Sequence, residues 1–348
     1  MRGAICGFGF IGGEGHWPAY QQAGGFDIVA VADVCGARLD AARKAIPGVR
    51  VYDSAEALLR GEPKLDFLDI TTPPVDHVPI ALRALEHGLH VLCEKPLACS
   101  VDEARTLMRA GRDARRTVMP CHNYTHAPVV KTLRGLLEAR TLGNIRTASI
   151  ATYRTTHARG VLEWDTHWRR KLALSGGGVT MDHGSHSFYV TFLLMGAYPL
   201  GISAQTFHAD PEWPTTEDTL CATLRYPQGL VNVYLTWCAG VRKVIYTLHG
   251  SEGAAVIEDD DLELTVLRDG KPHSEHHSIV SSFNVASHAS WFASLFQEFR
   301  EVAGRGETLP QQLREAYYCV QLIEGVYRSA QQGGVEQPLD QSLGFLGQ

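Results

Sequence analysis

The amino-acid sequence predicts an α/β protein with two domains: a doubly wound parallel sheet, then an α+β domain on a mostly antiparallel sheet with one open face. A glycine-rich turn follows the first apolar segment, and strand and helix patterns then alternate up to residue 121. After that point the pattern changes, and from residue 201 to residue 267 strands follow strands without helices between them. Since 348 residues exceed the size of one ordinary core, we expect domains at residues 1–121 and 122–348.

Composition excludes several classes of function. The net charge of −6 leaves no basic surface for nucleic acid or for an acidic membrane. No apolar run reaches the roughly 18 residues of a membrane span, and the first residues lead directly into a strand. The eight cysteines are scattered singly, as is typical of reduced structural thiols. We therefore expect a cytoplasmic protein with no membrane or nucleic-acid partner.

The first element is a short strand at residues 4–6 that runs directly into a G-x-G-x-x-G sequence. Glycines in this motif allow a tight turn, let the backbone approach a pyrophosphate, and let the next helix place its N-terminus on the phosphates. The alternative is a buried glycine-rich turn without a ligand. The residues expected to contact a dinucleotide here are Gly7, Gly9, Phe10, Ile11 and Gly12.

A second apolar strand at residues 28–32 supports this interpretation, because it ends at Asp33, about twenty residues beyond the last motif glycine. A carboxylate at this position bonds the ribose hydroxyls of NAD and repels the 2′-phosphate of NADP. Arg38 could still accommodate NADP. We therefore expect residues 1–121 to form an NAD(P)-binding Rossmann domain with NAD as the favoured cofactor.

The alternation of strands and helices continues through the first half. A strand at residues 65–70 closes at Thr71, Thr72 and Pro73, in a loop that would face the cofactor. A helix at residues 76–87 precedes the next strand, a capping box at residues 100–103 opens another helix, and residues 117–121 form the last strand. Six strands with their crossovers complete a doubly wound nucleotide fold.

The strand at residues 91–93 ends at Glu94-Lys95-Pro96. Ligands of parallel sheets bind at the carboxyl ends of the strands, so Lys95 is the leading candidate for an active-site residue. Lys-Pro is also one of the few peptide bonds that adopts the cis form at modest cost. The alternative is a Glu/Lys pair solvated at the surface.

The second half begins with a helix at residues 128–140, a strand at residues 145–153 and an irregular loop to residue 174. A mostly antiparallel sheet of this kind leaves one face for a partner subunit. Two helices, at residues 290–303 and 311–330, precede about a dozen residues that we expect to form a loosely held tail. The predicted strands of this sheet also include residues 201–207, 219–226, 230–237, 243–248, 254–257 and 262–267.

Three glycines at residues 176–178 precede an apolar helical pattern that carries Asp182 and His186. Residues four apart share one face of a helix, whereas His183 would point elsewhere. The pair offers an imidazole for proton transfer and a carboxylate that can hold a substrate hydroxyl. The alternative is an Asp/His pair hydrogen-bonded within the core.

Metal chemistry and acyl transfer are the competing possibilities. Asp182, His183 and His186 are potential ligands, but the helix face that carries Asp182 and His186 supplies only two ligands and no sequence-local third. One of His122, His126, His157 and His167 could join them in space, and we expect no metal. The three histidines at residues 273–277 lie in a polar, turn-like segment and are expected to be solvated. No G-x-S-x-G elbow is present, which disfavours acyl transfer.

The glycine motif, the Glu94-Lys95-Pro96 strand end and the helix from Gly176 to His186, in this order and spacing, resemble the Gfo/Idh/MocA family of oxidoreductases. The resemblance covers nearly the whole chain. It implies a Rossmann domain, an open-faced α/β domain, and a homodimer or homotetramer held together by the sheet. It also implies that Asn123 and Tyr124 lie near the nicotinamide and the substrate.

By the same resemblance, Lys95, Asp182 and His186 form the catalytic set. The chain departs from the commoner family pattern in His183 and in its long loop at residues 155–174. Aromatic and charged residues in that loop suit a sugar ring, although the two tryptophans could instead pack the loop onto the sheet. The expected substrate-binding residues are Lys95, Tyr124, Trp164, Trp168, Arg169, Asp182 and His186. The expected cofactor-binding residues outside the glycine motif are Asp33, Thr71, Thr72, Pro73, Glu94, Lys95 and Asn123.

The expected function is reversible NAD(P)-dependent oxidation of a secondary alcohol on a sugar, cyclitol or related polyol. His186 would take the hydroxyl proton, Lys95 would stabilise the developing oxyanion, and Asp182 would orient the substrate and the imidazole. One alternative is a redox-cycling, NAD-dependent glycoside hydrolase. A non-enzymatic nucleotide-binding regulator is the other, and the presence of all three polar residues argues against it.

Overall fold

The computed structural model describes residues 1–280 and 287–347. Its first sheet has six strands, all parallel to their neighbours, in the order β3-β2-β1-β4-β5-β6. The chain order reverses between β1 and β4, and the crevice at such a switch point is where doubly wound sheets bind ligands. The prediction of six Rossmann strands is confirmed. They are β1 (Arg2–Cys6), β2 (Asp27–Ala32), β3 (Arg50–Tyr52), β4 (Phe67–Ile70), β5 (His90–Cys93) and β6 (Val118–Pro120).

Helices connect these strands, and their caps follow from the sequence. Ser54 and Ser100 each accept a hydrogen bond from the backbone amide three residues on, which satisfies a free donor of the first helical turn. The Glu103 carboxylate accepts from the amide of Cys99, one residue before the N-cap Ser100, so it stabilises the helix start although the capping-box bond to Ser100 itself is replaced. The helical segments are a π-helical turn (Ile11–His16), α1 (Trp17–Ala23), α2 (Gly36–Ala45), α3 (Ala55–Gly61), α4 (Pro74–Glu86) and α5 (Val101–Ala114).

The second sheet has nine strands in the order β14-β13-β12-β11-β7-β10-β9-β8-β15. Only β7 and β10 are parallel among these neighbours, so the prediction of a mostly antiparallel sheet is confirmed. The strands are β7 (Ile145–Tyr153), β8 (Gly201–Phe207), β9 (Thr219–Tyr226), β10 (Gly229–Thr236), β11 (Lys243–Gly250), β12 (Gly253–Glu258), β13 (Asp261–Arg268), β14 (Lys271–Ser278) and β15 (Gln337–Pro338).

Two predictions about this half are wrong. The histidines at residues 273–277 are exposed, as expected, but they lie on β14 and not in a turn. Asp269 and Gly270, both at positive φ, form the two-residue turn that joins β13 to β14. Because the residues of β14 are nearly all polar, the strand shows no alternation of apolar and polar residues that would have predicted it. The C-terminal residues are not a loose tail, because Leu339 and Leu346 are buried and the Tyr318 hydroxyl donates to the carbonyl of Gln341.

Helices cover one face of the second sheet, and no helix among the described residues covers the opposite face. Helices α8 and α10 pack on the covered face, whereas Leu230 and Tyr234 of β10 point outward and are exposed. Phe292, Phe296 and Phe299 of α9 pack against the Rossmann sheet and α1. The helices are α6 (Pro128–Glu138), α7 (Leu172–Ser175), α8 (Ser185–Met195), α9 (Ala289–Gly304) and α10 (Gln311–Gln331), with a π-helical turn at Thr180–Gly184 and 3₁₀ turns at Asn123–His126, Trp168–Arg170 and Gly344–Leu346. None of the described helices is both long and apolar enough to span a membrane.

Candidate active site

A cavity of about 640 Å³ lies between the carboxyl edge of the Rossmann sheet and the second domain. Gly12 is the one predicted site residue that does not line it, because it packs inward, where an added Cβ would lie 2.4 Å from the carbonyl oxygen of Gly7. The predicted residues that line the cavity are Gly7, Gly9, Phe10, Ile11, Asp33, Thr71, Thr72, Pro73, Glu94, Lys95, Asn123, Tyr124, Trp164, Trp168, Arg169, Asp182 and His186.

The Rossmann side of the cavity fits a dinucleotide. An added Cβ on Gly9 would meet no atom within 4 Å, so the turn is open toward the cavity. Asp33 is fixed at the end of β2, since its carboxylate accepts from the amides of Phe8 at 2.6 Å and Cys35 at 2.8 Å. The buried Thr72 hydroxyl and Asn123 amide oxygen have no hydrogen-bond partner among the described residues. Polar atoms left in this way at a cavity wall suit a polar ligand.

Lys95 leaves the end of β5 through a cis bond to Pro96. Its Nζ donates to Asp182 Oδ1 at 3.0 Å and to the Asp182 carbonyl oxygen at 2.8 Å. Only 14% of each of these two side chains is exposed. The alternative of a solvated Glu94/Lys95 pair is therefore wrong, and the ammonium is held across the domain boundary.

Glu94 faces a buried ionic cluster beneath the Lys95 loop. Its carboxylate lies 3.1 Å from His16 Nε2, whose other nitrogen lies 2.8 Å from Asp69, and Tyr20 donates to Asp69 at 2.8 Å. Burial opposes the charged form of His16, but the two carboxylates outweigh it and raise its pKa to about 9. Although Glu94 lines the cavity, its carboxylate supports the loop through His16 and the Lys95 amide, so its predicted contact with the cofactor stays a prediction.

The same cluster brings ligand-type atoms of His16, Asp69 and Cys121 within 4.8 Å of one another. Both nitrogens of His16 are already bonded to carboxylates. Burial, followed by the charge of Glu94, holds the pKa of the Cys121 thiol well above its usual range, so it is not a thiolate. We assign the cluster to hydrogen bonding and not to metal binding.

Asp182 lies in the π-helical turn that precedes α8. Arg169 Nε lies 3.4 Å from the same oxygen that Lys95 contacts. Burial alone would raise the pKa of Asp182, but the charges of Lys95 and Arg169 outweigh it and hold this pKa well below its usual range. The carboxylate is therefore ionised throughout the neutral range.

His183 also lines the cavity, 3.7 Å from Asp182, so the prediction that it points elsewhere is wrong. A π-helical turn rotates each residue less than an α-helix does, and neighbouring side chains can face the same side. Burial lowers the pKa of His183 to about 3.

Glu217 fixes the start of this turn. Its carboxylate accepts from the amides of Gly178 at 3.0 Å and Thr180 at 2.8 Å. An added Cβ on Gly178 would lie 1.9 Å from the Glu217 carbonyl oxygen, which explains the glycine at this position. We expected backbone or a ligand to approach the glycine triplet closely, and at Gly178 it is the backbone of Glu217 that does so.

His186 is positioned by tyrosines. Its Nδ1 lies 2.7 Å from the Tyr189 hydroxyl, and its ring stacks on Tyr124 at 4.1 Å. The structure shows no hydrogen bond or ion pair between Asp182 and His186, so the expected orientation of the imidazole by Asp182 stays a prediction. Burial, then the charge of Lys95, lowers the pKa of His186 well below its usual value, which leaves the ring neutral and able to accept a proton.

The loop at residues 155–174 extends over the cavity toward the Rossmann domain. Trp164 and Trp168 line the cavity rather than only packing the loop onto the sheet, and the Arg169 guanidinium lies 4.2 Å from the Trp168 ring. The Glu163 carboxylate lies 3.6 Å from Arg38 on α2. This loop therefore contacts both domains.

Comparison with protein-family models gives two matches. Residues 1–122 match the Gfo/Idh/MocA model described as an oxidoreductase family with an NAD-binding Rossmann fold. Residues 134–337 match the model for the C-terminal alpha/beta domain of the same family. The chain belongs to the Gfo/Idh/MocA oxidoreductase family. The predicted family, fold class, oxidoreductase activity and NAD cofactor are confirmed, whereas the boundary at residue 121 and the individual residue roles stay predictions.

Other members of the Gfo/Idh/MocA family are similar over most of this chain. D-glucoside 3-dehydrogenase of Escherichia coli is 26% identical, covering 66% of this chain and 68% of its own. The NADP(+)-dependent scyllo-inositol 2-dehydrogenase of Bacillus subtilis is 22% identical, covering 95% and 94%. A solved levoglucosan dehydrogenase in complex with NADH and levoglucosan has a TM-score of 0.84 at 18% identity, covering 97% and 99%, which shows a shared fold.

In this family member, the sequence prediction missed several residues that line the cavity. Arg154 directly follows β7, and its place at a strand end was the signal that could have revealed it. His183 could not be found by assuming a regular helix. The other missed lining residues include Met181, Arg242, His288 and Phe292.

Proposed function

We propose that this protein catalyses reversible, NAD-dependent hydride transfer between the nicotinamide and a secondary alcohol or ketone of a sugar, cyclitol or related polyol. One observation supports the proposal most strongly. The Lys95–Asp182 pair and the neutral His186 line the same cavity as the glycine turn that suits a dinucleotide. Relatives that are named as glucoside, inositol and levoglucosan dehydrogenases support the substrate class.

Each polar residue has a distinct role in this proposal. Neutral His186 accepts the proton of the substrate hydroxyl, with its ring held by Tyr189. Lys95 donates a hydrogen bond to the oxygen on which negative charge develops, and ionised Asp182 accepts from a neighbouring substrate hydroxyl. Bound NAD would supply the hydride acceptor. Thr72, Asn123 and Asp33 are the residues whose polar atoms suit holding it.

The loop at residues 155–174 supports a carbohydrate-like substrate. Trp164 is 40% exposed and Trp168 lies beside Arg169, so apolar ring faces and hydrogen-bond donors meet at one wall. An apolar surface with a few placed polar groups is typical of small-molecule sites. We propose that these three residues contact the substrate ring.

We also propose that the open face of the nine-stranded sheet forms a homodimer or homotetramer. Leu230 and Tyr234 leave exposed apolar surface on a face that no described helix covers. Sedimentation equilibrium of the wild type and of Tyr234→Asp tests this. A wild-type dimer or tetramer that dissociates in the variant supports it, and a monomeric wild type contradicts it.

Absorbance of reduced cofactor tests the function. Purified protein is mixed with NAD or NADP and a panel of cyclitols, aldoses and sugar acids, alongside Lys95→Ala and the exposed control Lys131→Ala. We expect reduction of NAD by a narrow substrate set, lost in Lys95→Ala and kept in the control. Release of sugar from glycosides without accumulation of NADH would support the redox-cycling glycoside hydrolase instead.

A further inference from the structure

The charges that line the cavity are unevenly divided between the domains. Of the lining carboxylates among the described residues, the Rossmann domain contributes Asp33, Asp76 and Glu94, whereas the second domain contributes Asp182. Asp182 already contacts both Lys95 and Arg169. The arginines that the second domain places on the cavity wall are Arg154, Arg159, Arg169 and Arg242. The substrate side of the cavity is therefore strongly basic.

Arg154 is the most constrained of these arginines. Its Nη1 donates to the carbonyl oxygens of Tyr153 at 2.8 Å and Lys243 at 3.4 Å, which fixes the guanidinium at the end of β7. The guanidinium is half-buried, and this burial lowers its pKa. The Tyr124 side chain also hydrogen-bonds this half-buried guanidinium, and the charge of Asp259 acts on it from a longer distance. No carboxylate of the described residues lies within the 4.0 Å of an ion pair to it.

Arg154 also lies beside the residues that would transfer the proton. It lines the cavity together with Tyr124, His183 and His186, and the same four residues also line a second, much smaller pocket. The glycine turn that suits a pyrophosphate belongs to the other domain, at the carboxyl end of β1. The phosphates of the cofactor therefore do not account for a cation at this point.

We propose that the substrate carries an anionic group, a carboxylate or a phosphate, which Arg154 binds next to His186. A planar guanidinium matches either oxyanion with paired hydrogen bonds. Binding there would hold the substrate at one end while its carbinol carbon faces Lys95 and His186. The proposal rests on the proposed function and narrows its substrate class from polyols to sugar acids or sugar phosphates.

The test compares kcat/KM across matched sets, each consisting of a neutral sugar, its uronic acid and its phosphate ester. We expect one of the two anionic forms to exceed the neutral form by roughly 10²-fold or more, as two charged hydrogen bonds allow. The form that is preferred distinguishes carboxylate from phosphate. In Arg154→Met the advantage disappears, while Arg146→Met, which changes an exposed arginine of β7, keeps it.

Two results overturn the inference while leaving the proposed function intact: neutral sugars that react as well as their acids, or an anionic preference that survives in Arg154→Met. Failure of all three forms to reduce bound NAD overturns the proposed function and the inference with it.

If Arg154→Met does not fold, a competition experiment with the wild type tests the proposal. Acetate or inorganic phosphate should raise the KM of the anionic substrate but not the KM of NAD. Chloride at the same ionic strength should raise neither KM. Absence of competition contradicts the proposal.

Discussion

The ammonium of Lys95 lies 3.0 Å from Oδ1 of Asp182, although the two residues are 87 positions apart in the chain. The contact joins the carboxyl edge of the Rossmann sheet to the π-helical turn of the second domain. It keeps Asp182 ionised and gives the ammonium a fixed direction into the cavity.

Removing either proposed catalytic group should lower turnover. Lys95→Ala loses the donor to the developing oxyanion, and His186→Ala loses the proton acceptor. We expect each to reduce kcat by roughly 10²- to 10⁴-fold, the usual scale of acid–base catalysis. Steady-state kinetics with Lys131→Ala as the control measure this. Unchanged kcat in both variants contradicts the assignment.

The pH profile of alcohol oxidation should extend to unusually acidic pH. Burial and Lys95 hold the pKa of His186 well below its usual 6.5, so the ring remains neutral as the pH falls through that value. We expect kcat/KM to stay level through pH 6.5 and to fall only well below it. A decline centred at pH 6.5 or above, in protein that remains folded by circular dichroism, would show that this imidazole is not the base.

His16 should make stability depend on pH in the alkaline range. Its pKa is about 9 in the folded chain against 6.5 when unfolded, so the folded state binds the proton more tightly. The stabilisation is therefore complete below pH 6.5 and is lost as the pH rises through 9, on the order of 3 kcal/mol in all. Urea unfolding between pH 6 and 9.5 measures it.

The comparison variant for this measurement is His16→Gln, which cannot take a proton. We expect it to be less stable at pH 6.5 and to lack the decline, because Asp69 and Glu94 lose their charged partner. His276→Gln changes an exposed histidine of β14 and should follow the wild type. Equal slopes in wild type and His16→Gln would contradict the charged cluster.

Asp33 should determine cofactor preference. Its charge repels a 2′-phosphate, and Asp33→Asn removes that charge while keeping an oxygen to accept from the Phe8 amide. We expect the ratio of kcat/KM for NAD to that for NADP to fall by roughly 10- to 10²-fold. The matched control is Asp53→Asn, an exposed carboxylate at the end of β3. An unchanged ratio in Asp33→Asn would contradict a role of Asp33 in selecting NAD over NADP.

The sequence predicted those features that depend on local patterns. The six parallel strands, the glycine turn and the Lys95 strand end follow from apolar runs and their terminating residues. The hairpin of β13 and β14 was also signalled locally, by Asp269-Gly270, but its polar strand hid it. Local pattern therefore identified the Rossmann half more completely than the second half.

Features that depend on distant contacts could not be predicted in this way. The π-helical turn is fixed by the carboxylate of Glu217, which is 37 residues from Thr180, so a regular helical spacing misplaced His183. The stacking of His186 on Tyr124 and the place of Arg154 beside these two rings depend on packing between elements. Side-chain direction at such places follows the tertiary structure rather than the local period.

The most direct test of net hydride transfer is the stoichiometry of reduced cofactor with a substrate that carries deuterium on its carbinol carbon. We predict one NADH formed for each ketone produced, with the deuterium on the nicotinamide ring and a slower rate than for the unlabelled substrate. Consumption of substrate with no accumulated NADH, or with the label remaining in the product or lost to water, would contradict net hydride transfer.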